Sequence, residues 1–181
     1  MREGVAHPDN NIVLIGMPGV GKSTIGVLLA RTLSRDFTDT DLYIQSRECR
    51  RLQEILDGSG RDTFLTLEER YVLTLECRGH VIATGGSVVY SKPAMAHLAG
   101  RGVIVHLDLP FELLERRISN LPTRGVVMAS DQTLRTLYDE RQPLYRQYAD
   151  ITVSCAGLNH DEAVLAIIHL LRDAGVPGCD A

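Results

Sequence analysis

The chain has 181 residues, 44% of them hydrophobic and 23% charged, which suits one globular domain at about 150 residues per domain and excludes a disordered chain. Nineteen basic against 23 acidic residues leave a net charge of −4, which argues against a nucleic-acid partner held by phosphate neutralisation. No apolar run approaches the roughly 18 residues of a membrane span, and the polar stretch before Asn11 lacks the apolar core of a secretory signal.

Ile12-Val13-Leu14-Ile15 is a continuous apolar run ending at Gly16, the pattern of a strand buried on both faces. After a glycine loop, Ile25, Leu28, Leu29, Thr32 and Leu33 recur with the spacing of a one-faced helix. A short strand around Phe37 leads into Asp39-Thr40-Asp41. Leu52, Ile55 and Leu56 predict a short helix that Gly58-Ser59-Gly60 stops. Phe64 to Cys77 predicts a longer helix with Leu67, Tyr71 and Leu75 on one face.

Val81-Ile82-Ala83 and Val103-Ile104-Val105 read as strands on either side of a helix over Pro93 to Leu98. Pro110 opens a helix carrying Leu113, Leu114 and Arg117, since proline suits a first helical turn. Residues 120–131 are polar and include Pro122 and Gly125, the composition of a mobile lid loop. Leu134 to Tyr148 has helical period but contains Pro143, which predicts a kink or break. A last strand, Ile151 to Val153, precedes a helix bearing Val164, Ile167, Ile168 and Leu171, and the tail after Asp173 is expected to fray. The four cysteines, Cys49, Cys77, Cys155 and Cys179, form no Cys-x-x-Cys pair and fit reduced thiols in a cytoplasmic protein.

Strands alternating with helices predict an α/β architecture, a parallel sheet covered on both faces over a single domain, 1–181. Ligands of such sheets sit at the carboxyl ends of the strands. That rim gathers the loop from Gly16 to Lys22, the turn Asp39 to Asp41, and Gly85-Gly86.

Gly16-Met17-Pro18-Gly19-Val20-Gly21-Lys22-Ser23 fits the phosphate-loop pattern G-x-x-x-x-G-K-[ST]. Its glycines let backbone N–H groups turn toward phosphate oxygens. Lys22 supplies charge at the β/γ-phosphates, and the Ser23 hydroxyl can ligate Mg²⁺. Asp39 and Asp41 on the same rim can divide labour between a metal's water shell and an acceptor hydroxyl, although Asp41 also suits a helix cap. Thr84-Gly85-Gly86-Ser87 permits a ligand to approach backbone amides closely.

Arg116, Arg117, Arg124, Arg141 and Arg146 surround the polar loop. Arginine beside a phosphate site stabilises transferring phosphoryl charge, whereas on most helices it is a solvated face. Asp108 ends a hydrophobic strand but merely precedes the Pro110 helix. His7, His80, His97, His106, His160 and His169 show no ligand spacing and read as surface or core residues.

Over about residues 11 to 172 the chain resembles the shikimate kinase family. The likeness rests on GMPGVGKST, DTD, the Phe64-x-x-x-Glu68 helix, VIATGG, Arg116-Arg117 with Arg124, and Arg141-Gln142-Pro143-Leu144-Tyr145 before Ala149-Asp150. The resemblance implies a P-loop fold with a five-stranded parallel sheet in order 2-3-1-4-5, and phosphorylation of the 3-hydroxyl of shikimate by MgATP. It implies that Gly19, Val20, Gly21, Lys22, Ser23 and Thr24 hold ATP, that Ser23 ligates magnesium, and that Asp39 stands in the metal's outer shell. Asp41 would hold the acceptor hydroxyls, helped by Gly85 and Gly86. Arg124 would contact the transferring phosphate, Arg117 would pack on adenine, and Arg141 would bind the substrate carboxylate. The expected partner is a small molecule and the expected state a monomer.

Three departures fall on the acceptor side. The family's Phe-Arg is here Phe64-Leu65, its third glycine is Ser87, and its lid Arg-Pro-Leu is Arg124-Gly125-Val126. Arg61 lies one helical turn before Leu65, where i and i+4 share a face, and could replace the missing guanidinium or remain solvated. The alternatives are a kinase for another polyol or sugar acid, or a nucleotide-binding regulator with a decayed acceptor site.

Overall fold

Residues 9–118, 126–128 and 132–179 are described by the computed structural model. Strand β1 (Asn11–Ile15) is buried along its whole length and forms the middle of the sheet, as its unbroken apolar run dictates. Each of its large apolar side chains contributes about 1.5–3 kcal/mol on burial. It pairs in parallel with β3 (His80–Ala83) on one side and β4 (Gly102–Asp108) on the other. Outside these lie β2 (Asp36–Asp39) and β5 (Ile151–Ser154), completing the order β2-β3-β1-β4-β5. The expected class and strand order are both found.

Helix α1 (Lys22–Thr32) packs beside α7 (His160–Asp173). The helices α2 (Thr40–Glu48), α3 (Leu52–Leu73), α4 (Lys92–Ala99), α5 (Phe111–Arg117) and α6 (Leu134–Tyr148) complete the chain order. The main core fills the space between sheet and helices. A smaller apolar cluster of Ile44, Leu52, Ile55, Phe64 and Val127 joins α2, α3 and the segment before α6.

One expected break is found, and other expectations are corrected. The break expected at Gly58-Ser59-Gly60 is present: α3 (Leu52–Leu73) consists of two helical segments that meet at a kink, where Gly60 leaves the helical region at φ 77°, ψ 169°, a conformation open to glycine at no steric cost. The helix also ends short of Cys77, because Thr74 and Leu75 N–H close on the carbonyls of Tyr71 and Val72 in tighter, 3₁₀-type bonds. Its buried face is Phe64, Glu68 and Val72, while Leu67 and Tyr71 flank it against the smaller cluster.

Helix α6 continues through Pro143 without a break. Buried Arg141, Gln142 and Tyr145 anchor that turn through hydrogen bonds to Tyr90, Asp108 and Gly86. The tail does not fray as far as Cys179, which is fully buried. Arg35 Nη2 donates to Pro177 O at 2.7 Å, and Val176 N–H bonds Leu171 O. Tertiary contacts outweigh the loose local composition in both places.

Candidate active site

The phosphate loop joins β1 to α1 at the carboxyl rim of the sheet. Gly21 sits at φ 112°, a left-handed conformation that turns the chain into α1 with Lys22 as the first helical residue. The helix N-terminus therefore points its free N–H groups and positive dipole end into the loop. Lys22 is buried, and its Nζ donates to Gly16 O at 2.7 Å and Met17 O at 3.0 Å. Burial lowers its pKa to about 8, with nearby Asp41 opposing the shift. Ser23 Oγ donates to Asp39 Oδ2 at 2.6 Å.

Asp39, not Asp41, caps α2: its Oδ1 accepts from Asp41 N–H at 3.0 Å and Leu42 N–H at 3.1 Å. The Asp41 carboxyl instead lines the cavity beside Gly85. Burial and the neighbouring Asp39 raise its pKa to about 6, against the pull of Lys22. Thr40, between the two aspartates, accepts from Gly85 N–H at 3.0 Å and so ties the end of β2 to the turn after β3.

A single cavity of about 630 Å³ runs from the phosphate loop to the Gly85-Gly86 turn. Gly19, Gly21, Lys22, Ser23, Thr24, Asp41, Gly85, Gly86, Arg117 and Arg141, all expected on sequence grounds, line it together. Val20 and Asp39 stand just behind. Val20 is buried, with its carbonyl 3.4 Å from Arg117 Nη1, and Asp39 holds Ser23. A side chain at Gly85 would collide with Glu68 Oε1 and come within 2.8 Å of Asp41 Oδ1. One at Gly86 would press on Pro18 and, at 3.1 Å, on Arg141 Nη1. Both glycines thus keep the floor of the cavity thin.

Arg141 is fully buried. Its Nε donates to Tyr90 Oη at 3.1 Å and its Nη2 to Val127 O at 2.5 Å, while Nη1 is buried without a partner beside Gly86. A guanidinium held at two corners, with its third nitrogen unpaired, suits an anion. Tyr145 Oη donates to Gly86 O at 2.7 Å and fixes the same wall.

Arg61 lies against the Tyr90 ring, 5.2 Å from its centroid. Leu65, at the position of the family's second arginine, packs into the smaller apolar cluster. Arg124 lies outside the described residues, as does most of the 120–131 loop. Val127, within that loop, is buried against Phe64 and its neighbours.

Two residues escaped sequence reasoning. Glu68 is 2% exposed, directly under Gly85, with Oε1 unpartnered. Burial, then the nearby Asp41 charge, pushes its pKa up to about 8, so it is largely a neutral acid at pH 7. In the sequence it stood only within the Phe64-x-x-x-Glu68 pattern, outside the Leu67, Tyr71 and Leu75 set, with no role attached. His160 lines the cavity beside Gly21, and a lone histidine at a helix start carries no signal for that role.

The Ser23 and Asp39 oxygens suit a hard cation such as Mg²⁺, which takes few protein ligands and keeps waters and phosphate oxygens. Among the described residues no cluster of three or more acidic, histidine or cysteine side chains forms a metal cage. Among them, too, no helix is long and apolar enough to cross a membrane.

Sheet order, phosphate loop and a two-ended cavity define a P-loop kinase fold of the nucleoside-monophosphate-kinase type. A family model for shikimate kinase matches residues 18–172, and the chain belongs to that family. A shikimate kinase of Pasteurella multocida is 40% identical over 147 residues, 79% of this chain and 84% of that protein. One from Tolumonas auensis is 36% identical over 165 residues, 89% of this chain and 96% of that protein. The solved shikimate kinase of Acinetobacter baumannii in complex with shikimate superposes with a TM-score of 0.85. It is 30% identical and covers 92% of this chain and 95% of its own.

Proposed function

We propose that this protein transfers the γ-phosphoryl group of ATP to the 3-hydroxyl of shikimate. The observation that carries the reading is the unpartnered Arg141 Nη1 at one end of a cavity whose other end is the phosphate loop. Phosphoryl transfer needs little covalent help from a protein; positioning and charge stabilisation do most of the work. The loop amides and Lys22 hold the phosphates. Asp41, with a pKa near 6, is mostly ionised at pH 7 and accepts the hydrogen bond of the acceptor hydroxyl, orienting its oxygen for attack. Arg141 Nη1 holds the acceptor's carboxylate, with the ring lying over Gly85-Gly86.

Ser23 would hold Mg²⁺ directly and Asp39 through water. When bound, the ion would supply neutralising charge between the phosphates. Arg117 packs on the adenine, and Arg124, from its place in the chain, meets the transferring phosphate. The protein works in the cytoplasm as a single-domain monomer.

Arg141→Ala tests the reading. The expected result is a loss of about 10- to 150-fold in kcat/KM for shikimate, the worth of one charge-assisted contact. A carboxylate-free analogue should respond little. Equal losses on both would remove Arg141 from the carboxylate. Leu65, apolar where the family has arginine, favours one rival, a kinase for an uncharged polyol. Wild-type preference for such a polyol over shikimate would select it.

A further inference from the structure

Tyr90 closes the 3₁₀ turn Val88–Tyr90 that follows Gly85-Gly86, and two guanidinium groups meet its ring. Arg141 Cζ is 5.0 Å from the ring centroid and Arg61 Cζ is 5.2 Å. Arg141 also donates through Nε to the Tyr90 hydroxyl. Each arginine keeps one buried nitrogen without a partner, Nε in Arg61 and Nη1 in Arg141. Arg61 occupies this place because the bend at Gly60 restarts the helix on it.

We propose that Tyr90 is a positioning residue for acceptor binding, holding Arg141 and Arg61 as one cationic unit at the carboxylate end of the cavity. The proposal rests on Arg141 being the carboxylate ligand. An arginine side chain has four rotatable bonds, so a free guanidinium loses much of its binding strength to ordering. Tyr90 removes that freedom in advance. Its hydroxyl takes Nε, its ring takes the guanidinium, and Val127 O takes Nη2, which leaves Nη1 turned toward Gly86.

Arg61 does not reach the cavity wall itself. Its charge bears on the acceptor through the shared ring, whose quadrupole offsets the repulsion between two cations at close range. A bound carboxylate relieves the remaining repulsion. This division of labour replaces two direct arginine ligands with one direct ligand and one charge behind it.

The test compares Tyr90→Leu and Tyr90→Phe with wild type. Tyr90→Leu should raise the KM for shikimate about tenfold or more, with kcat and the KM for ATP within about threefold of wild type. Tyr90→Phe keeps the ring and should recover part of the loss. Adding Arg61→Ala to Tyr90→Leu should cost nothing further, although Arg61→Ala alone raises the shikimate KM. A carboxylate-free analogue should not distinguish the variants.

An unchanged shikimate KM in Tyr90→Leu overturns the proposal. So does an equal loss for shikimate, ATP and the analogue, which marks a merely structural role. The nitrogen-15 signal of the Arg141 Nε–H group, recorded without any substrate, decides the matter separately. It should be ordered in wild type and mobile in Tyr90→Leu, and equal order in both overturns the proposal. If wild type ignores shikimate, the substrate assignment fails while this signal still judges Tyr90.

Discussion

Ser23 Oγ and Asp39 Oδ2 are joined by a 2.6 Å hydrogen bond, while Oδ1 of the same carboxylate caps α2. One side chain therefore sets the hydroxyl of the phosphate loop and the start of the helix that carries Asp41. Thr40 extends the link to Gly85. The nucleotide end and the acceptor end of the cavity share this short bridge, so their spacing is fixed by a few polar contacts at the strand ends.

Lys22→Ala should abolish turnover and leave the fold in place. Lys22 holds two loop carbonyls and supplies the positive charge beside the phosphates. A charge that stabilises a phosphoryl transition state is worth about 10²-fold or more. Steady-state ADP release together with a thermal melt checks this. More than about a tenth of wild-type activity would remove Lys22 from that role.

The pH profile of kcat/KM should be bell-shaped. Asp41, raised to about 6 chiefly by burial, must be ionised to accept the hydroxyl's hydrogen bond, so activity falls as pH drops through that value. Lys22, lowered to about 8 by burial, must be protonated, so activity falls again on the alkaline side. Asp41→Asn should flatten the acidic limb at a much lower rate. A wild-type profile that stays level from about pH 5 to 7 would contradict Asp41's role.

His106 should make the protein acid-sensitive. The side chain is fully buried, stacked 5.2 Å from Tyr145, and neither ring nitrogen has a partner. Burial lowers its pKa from 6.5 to about 4. The unfolded chain thus takes up the proton first, and stability present above about pH 6.5 is lost as pH falls toward 4. The loss is on the order of 3 kcal/mol. His106→Phe should remove that dependence and raise stability by about 1–3 kcal/mol, since an unpaired buried polar group disappears. Urea melts across this range check both effects, and parallel curves for the two proteins would contradict the account.

How much of this was legible follows from the range of the interactions. The phosphate loop, β1 and the order of elements are local or periodic signals, and all stand where the residues said. Asp39's capping role was a matter of which of two aspartates met the backbone, which spacing alone leaves open. The break at Gly60 was a local glycine signal, whereas the unbroken helix at Pro143 and the ordered tail at Cys179 depend on contacts from distant segments. Glu68 was hidden for a different reason. A buried acid looks like an ordinary helical glutamate until the chain brings Gly85 and Asp41 against it. Tyr90 gave no signal, because its meaning comes from two arginines far from it in the chain, Arg61 before it and Arg141 after it.

The most direct measurement of the central claim is product analysis of the wild-type protein with MgATP and a panel of acceptors: shikimate, a carboxylate-free analogue, an open-chain sugar acid and simple polyols. The wild-type protein should release one ADP per phosphorylated shikimate, with the phosphate on the ring's 3-hydroxyl. Turnover should lie in the range of about 1–100 s⁻¹ usual for kinases, and the acceptors without a carboxylate should be at least about tenfold poorer in kcat/KM, the least that one charge-assisted contact to Arg141 is worth. ATP consumed with no phosphate on shikimate, or a polyol preferred to it, would contradict the account.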